Sequence, residues 1–109
     1  MQTVNETPKH IEDFHKLCRI VAEEFRVEPQ DVVERRTGGM YKTPRHVVAA
    51  VYSNWGTLRE TAELLNMNNH QSVAYSRRRV QDLMNTGRYK AQLKRILDRV
   101  EKELPLMLP

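Results

Sequence analysis

Cysteine is almost absent from this chain of 109 residues, which contains Cys18 alone. A single thiol cannot form an internal disulfide, so the sequence indicates a reducing compartment and a fold held by packing. An apolar run long enough to cross a membrane is also missing, and the first ten residues are polar. We therefore expect no transmembrane segment, no signal peptide and a cytoplasmic location.

Patterns typical of catalysis, metal binding and nucleotide binding are missing as well. The four histidines and the single cysteine show no zinc-ligand spacing, and no catalytic triad or paired carboxylates stand out. The Gly-bearing stretch at residues 35–42, RRTGGMYK, has neither a preceding strand nor the GK[ST] ending of a phosphate-binding loop. We expect no enzyme activity, no cofactor, no metal and no bound nucleotide.

Positive charge is in modest excess, with 18 Lys and Arg against 14 Asp and Glu and a formal net charge of +4. This excess favours an anionic partner, although the position of the charges matters more than their sum. The length predicts a single domain over residues 1–109. Hydrophobic residues make up 39% of the chain, enough for a modest core without covalent crosslinks.

Strand-like alternation is absent, whereas apolar residues recur at helical spacing along most of the chain. We predict an all-α fold of five to six helices, with residues 1–8 as a flexible arm and residues 35–42 as a solvated connector. The first helix starts at Thr7-Pro8 and ends near Val27, because Pro29 follows. The remaining helices are predicted at residues 29–34, from Thr43-Pro44 to Gly56, at 57–65, at 69–86 and at 88–104.

Residues 57–79 read as two short helices joined by a tight turn, the plan of a helix-turn-helix. Thr57 and Glu60 form a capping box at the start of the first of these helices. Residues 66–68 interrupt the apolar pattern, and Asn69 is the expected N-cap of the second helix. Gly87 is expected to end that helix. Val73, Val80 and either Leu83 or Met84 would form its buried stripe.

The region from about residue 17 to residue 85 resembles the C-terminal DNA-binding domain of the bacterial replication initiator DnaA. The segments that carry this resemblance, in order, are residues 21–25 (VAEEF), Val27 with residues 31–33 (DVV), the basic pair at 35–36 (RR), residues 44–46 (PRH) and residues 69–73 (NHQSV). The resemblance implies an all-α, Trp-repressor-like fold with a helix-turn-helix. The chain differs from the family at residues 66–68, where Asn-Met-Asn replaces Gly-Gly-Arg, and nothing corresponds to the family's ATPase domain.

The resemblance also implies a division of DNA contacts. The basic loop and the start of the next helix, Arg45 above all, would approach the minor groove and the backbone. Residues 69–72 would read the major groove, and Arg59 matches a position near DNA in the family. The set of expected DNA contacts is Arg35, Arg36, Lys42, Arg45, His46, Arg59, Asn68, Asn69, His70, Gln71, Ser72 and Arg78.

Alternatives remain open for several of these residues. Arg45 could instead be a solvent-facing arginine, His70 a packing residue and Ser72 part of the helix cap. Chemistry independently favours the first turn of the second helix, because Gln71 can pair with adenine and Ser72 offers a small hydroxyl. Of the run Arg77-Arg78-Arg79, at most two can face DNA, because successive helical residues point about 100° apart.

We expect a sequence-specific binder of double-stranded DNA, associated with the nucleoid of a bacterium or with a phage, that regulates replication or transcription by occupying its site. The alternative is a protein-interaction module that dimerises or binds a partner through the last helix and the apolar tail at residues 104–108. The sequence leaves open whether the protein is a monomer or a dimer, and which DNA sequence it prefers.

Overall fold

Six α-helices account for most of the residues that the structure, a computed structural model, describes, namely 9–34 and 39–108. The predicted all-α class with five to six helices is confirmed, and the described residues contain no strand. In chain order the helices are α1 (Lys9–Phe25), α2 (Pro29–Val33), α3 (Gly39–Tyr52), α4 (Leu58–Leu64), α5 (His70–Thr86) and α6 (Lys90–Glu103), followed by a 3-10 turn at Pro105–Met107. None of these helices combines the length and the apolarity that crossing a membrane requires.

The first helix, α1, buries one apolar face that includes Phe14, Leu17 and Val21. It ends two residues before the predicted end near Val27, at a left-handed Arg26 with φ of 58°. The N–H of Val27 then donates to the carbonyl of Ala22 at 3.0 Å, a bond typical of helix C-termini that end in a left-handed residue. Thr7 and Pro8, the predicted helix start, and the arm at residues 1–8 lie outside the described residues.

The helix α3 begins earlier than predicted and is the central element of the fold. The sequence predicted a start at Thr43-Pro44 after a loop at 35–42, but residues from Gly39 onward are helical and Pro44 lies inside the helix. Proline costs one hydrogen bond there, to the carbonyl of Met40, because it has no N–H. Pro44 is buried, so packing compensates for that loss. The helix contacts α1, α2, α4 and α5.

The aromatic part of the core lies where α3 ends against α1. The ring of Tyr52 packs edge-on against Phe14, with centroids 5.3 Å apart, and against Trp55 at 5.9 Å. Cys18 lies on the same buried face of α1, and burial raises the pKa of its thiol to about 12. A buried thiol with its pKa raised in this way is unreactive.

The C-terminal helix α6 packs against α1 and ends before Pro105, as the sequence predicted. Its buried residues are Leu93, Ile96 and Val100. On its outer side, Arg95 pairs with Glu24 of α1 at 2.8 Å. The apolar tail does not project into solvent as a whole, because two of its five residues, Leu104 and Met107, are buried in the same core.

Candidate nucleic-acid interface

The short helix α4 is held at its start by the predicted cap. The Thr57 hydroxyl oxygen accepts a hydrogen bond from the backbone N–H of Glu60 at 3.0 Å, which confirms this half of the capping box. Thr61 and Ala62 are buried, so α4 turns one face toward the core. Arg59, between the cap and this face, is exposed.

A five-residue connection, residues 65–69, joins α4 to α5. Asn66 adopts a left-handed backbone with φ of 56°, which asparagine tolerates better than most residues. Its side-chain amide donates to the carbonyl of Val33 at 3.0 Å and so ties the connection to α2. Asn69 accepts from the N–H groups of Gln71 and Ser72 at 2.9 and 3.2 Å, which confirms it as the N-cap of α5.

The first turn of α5 is open to solvent. His70 and Gln71 are exposed, and neither side chain makes a hydrogen bond with the described residues. Arg78 lies seven positions after Gln71, about two helical turns, so both lie on the outer face of α5. The opposite face is buried through Val73, Ser76, Val80 and Leu83. Leu83 rather than Met84 completes this stripe, since Met84 is 44% exposed.

On the α4 side, the exposed face of α5 borders a shallow cleft. Four predicted contact residues line it: Arg59 from α4, Asn68 and Asn69 from the connection, and His70 from α5. The fold therefore brings together residues that are up to eleven positions apart in the sequence. A cationic side chain, amides and an imidazole are all groups that bind phosphates or base edges in protein–DNA complexes.

On the side of α5 that packs against α3, the half-buried side chain of His46 contacts α5. The Nδ1 atom of His46 lies 2.8 Å from the hydroxyl oxygen of Ser76, and its ring contacts Tyr75 edge-on with centroids 5.5 Å apart. Burial, and then the positive charges of Arg79, Arg45 and Lys42, lower the pKa of His46 below its usual 6.5. These surroundings favour the neutral form of the His46 ring.

Arg45 has neither of the two positions that the sequence suggested, a DNA contact or a solvent-facing arginine. Its side chain is only 7% exposed, so it is neither a surface arginine nor available to DNA in this conformation. One guanidinium nitrogen donates to the carbonyls of Val32 and Val33 at 2.6 and 3.1 Å, and the other donates to the carbonyl of Leu65 at 2.7 Å. The expectation that Arg45 leads the DNA contacts is corrected: three backbone carbonyls hold its donors inside the fold.

Among the remaining predicted DNA contacts, the structure describes Lys42, Ser72 and Arg78, which differ in exposure. Lys42 is exposed, although on the second turn of α3 and not in a loop. Ser72 is half-buried, and Arg78 is exposed. Arg35 and Arg36 lie outside the described residues.

Sequence reasoning missed Tyr75, which is 52% exposed beside His46. Its spacing was the available signal, because Tyr75 lies one turn after Gln71 and outside the buried stripe of α5.

A metal centre finds no support in the part of the chain that the structure describes. No group of three or more His, Cys, Asp or Glu side chains lies close enough together to hold a metal ion.

Comparison of the chain with protein-family models, with curated proteins and with solved structures gave no match.

Proposed function

We propose that this protein binds double-stranded DNA in a sequence-specific manner, with α4, the connection at 65–69 and α5 acting as a helix-turn-helix. The observation that carries the proposal is the open first turn of α5, where His70 and Gln71 are exposed and Asn69 fixes the helix start. Polar side chains with unused hydrogen-bonding groups at this end of a helix suit base edges in the major groove.

The cations around α5 support the proposal. Arg78 lies on the same outer face as Gln71, and Arg59 borders the cleft on the α4 side. Lys42 and Arg79 are exposed on the α3 side. Within the described residues, no hydrogen bond or ion pair occupies the guanidinium groups of Arg59, Arg78 or Arg79. Phosphates on both sides of a groove would find cations on both sides of α5.

We propose that the protein regulates replication initiation or transcription by occupying its site, and that its α4–α5 region is related to the DNA-binding domain of DnaA. Arg45 departs from the role that this resemblance implies, so minor-groove contacts have to come from other residues. The target sequence should also differ from the family's, because the connection at 65–69 contains no arginine.

Selection of binding sites from random duplex DNA at two salt concentrations tests the proposal. We expect one enriched motif and an affinity that falls steeply with salt, since phosphate contacts release counterions. An asymmetric motif indicates a monomeric reader, whereas a palindrome indicates a dimer. Salt-sensitive binding without any enriched motif contradicts sequence-specific reading, and the absence of binding contradicts the whole proposal.

A matched pair of glutamines on α5 separates base reading from general loss of affinity. Gln71→Ala should relax the preference for a base at one position, costing about 1–3 kcal/mol of discrimination if the contact is bidentate. Gln81→Ala is the control: Gln81 is exposed on the same helix, ten positions later, and within the described part of the chain its side chain bonds Asn85 at 3.2 Å. If site selection with the two variants gave the same DNA motif, Gln71 would be excluded as a base contact.

A protein-interaction module is the second candidate, supported by two exposed apolar residues, Met84 at 44% and Leu106 at 64%. Met84 borders an open groove with Leu93 and Leu97 of α6. Burial of Leu104 and Met107 nevertheless leaves less apolar tail for a partner than the sequence suggested. If this candidate is right, Leu106→Ala abolishes the function and Gln71→Ala leaves it intact.

A further inference from the structure

His46 lies in a cluster of cationic groups that two helices contribute at the edge of α5. Lys42 precedes His46 by one turn on α3, and Arg79 follows Ser76 by nearly one turn on α5. Both cations are exposed, and Tyr75 closes one side of the imidazole ring. We refer to Lys42, His46, Tyr75 and Arg79 as the α3–α5 cluster.

The hydrogen bonds around His46 determine which of its nitrogens carries the proton. The Ser76 hydroxyl donates to the carbonyl of Ser72 at 3.1 Å, so its oxygen is available to accept from His46. Nδ1 of His46, 2.8 Å from that oxygen, is then the N–H donor of the neutral ring. In this tautomer Nε2, on the far side of the ring from Ser76, carries only a lone pair.

A lone pair on Nε2 repels phosphate oxygens, which are acceptors themselves. A second proton changes this, because the imidazolium donates from both nitrogens and adds a positive charge beside Lys42 and Arg79. We propose that the α3–α5 cluster is a phosphodiester-binding site that takes up a proton at His46 when duplex DNA binds. This inference rests on the proposed function and specifies one contact and its dependence on pH.

The surroundings of His46 give the sign of the effect. The charged neighbours are Lys42 and Arg45 from α3 and Arg79 from α5, and the titratable side chain of Tyr75 on α5 contacts the ring. No described group on α1, α2 or α4 is among the causes that lower its pKa. An incoming phosphate offsets the repulsion among these cations, so the pKa of His46 is higher in the complex than in the free protein. Binding therefore strengthens as the pH falls toward the free value.

The test follows the His46 ring resonances by NMR in the full chain as a function of pH, with and without a duplex that contains the selected motif. We expect a pKa below 6.5 in the free protein and a rise of about one unit in the complex, which corresponds to about tenfold tighter binding at low pH. An unchanged or lowered pKa in a tight complex overturns the inference and leaves the proposed function standing. Failure to bind the duplex at any pH overturns both.

Two further experiments test whether His46 is the group that takes up the proton and whether the phosphate has to belong to DNA. His46→Gln should lose most of the pH dependence of duplex affinity, whereas His15→Gln, an exposed histidine on α1, should keep it. Inorganic phosphate at an equal phosphate concentration should leave the pKa of His46 nearly unchanged. An equal rise with inorganic phosphate would assign the cluster to the free anion, and full pH dependence in His46→Gln would assign the proton to another group; either result overturns the inference.

Discussion

Arg45 connects the C-terminal ends of two helices through a single side chain. Its guanidinium bonds the carbonyls of Val32 and Val33 at the end of α2 and the carbonyl of Leu65 at the end of α4. Carbonyls at helix C-termini have no intrahelical partner and carry partial negative charge, so a buried cation there is doubly stabilised. Since Leu65 begins the connection to α5, Arg45 also fixes where the first turn of α5 lies.

Arg45→Met should therefore destabilise the fold, because it removes the donor to the buried carbonyls of Val32 and Leu65 and leaves the Val33 carbonyl with its bond from Asn66 alone. We expect a loss of about 3 kcal/mol or more in the free energy of unfolding, measured by urea denaturation. Arg45→Lys keeps the charge but cannot span both helix ends, so its loss should be intermediate. Arg78→Met, at an exposed position, should change stability by less than about 0.5 kcal/mol. Wild-type stability of Arg45→Met with selective loss of DNA binding would restore Arg45 as a contact residue.

The glycines described at the helix boundaries differ in the space available for a side chain and in backbone conformation. A Cβ at Gly56, between α3 and α4, would lie 2.6 Å from a Glu60 carboxylate oxygen and 2.7 Å from the Tyr52 ring. Gly87 caps α5 with φ of 78° and has nothing within 4 Å of a Cβ. Gly39, on the first turn of α3, also has open space and has no such left-handed φ.

Alanine at these three positions separates crowding from backbone strain. Gly56→Ala should be destabilising because the Tyr52 ring, buried in the core, has to shift. Gly87→Ala should cost about 1 kcal/mol through its left-handed backbone alone. Gly39→Ala should be neutral or stabilising, since alanine favours helices. Thermal unfolding of the three variants checks this order, and a destabilised Gly39→Ala would contradict the helical start of α3.

Local chemistry explains which parts of the fold and site were predictable from the sequence. Asn69, Thr57 and Gly87 were assigned correctly because a cap depends on residues within a few positions of itself. The start of α3 was missed because burial of Pro44 depends on the rest of the core. Arg45 was missed because its acceptors lie 12, 13 and 20 positions away. Nothing in the sequence next to Arg45 distinguishes a surface arginine from a buried one.

At the scale of the whole molecule, the C-terminal tail is either part of the core or a docking segment for a partner. Leu104 and Met107 belong to the core cluster formed by the helices, while Leu106 points outward with 64% of its surface exposed. Two neighbouring apolar residues of the tail, Leu106 and Met107, therefore have opposite environments. The two candidate functions predict different consequences for changing the exposed Leu106.

Met107→Ala should lower the free energy of unfolding by about 2–5 kcal/mol, because truncating a buried methionine removes apolar contact and leaves a cavity. Leu106→Ala should leave both stability and DNA binding close to wild type, since an exposed side chain contributes little to the core. Urea denaturation and duplex titration of both variants measure these effects. If Leu106→Ala abolished the function while the protein stayed folded, the tail would be a docking segment and the case for DNA reading by α5 would weaken. If Met107→Ala alone were impaired, and only through stability, the tail would be part of the hydrophobic core and not a docking segment.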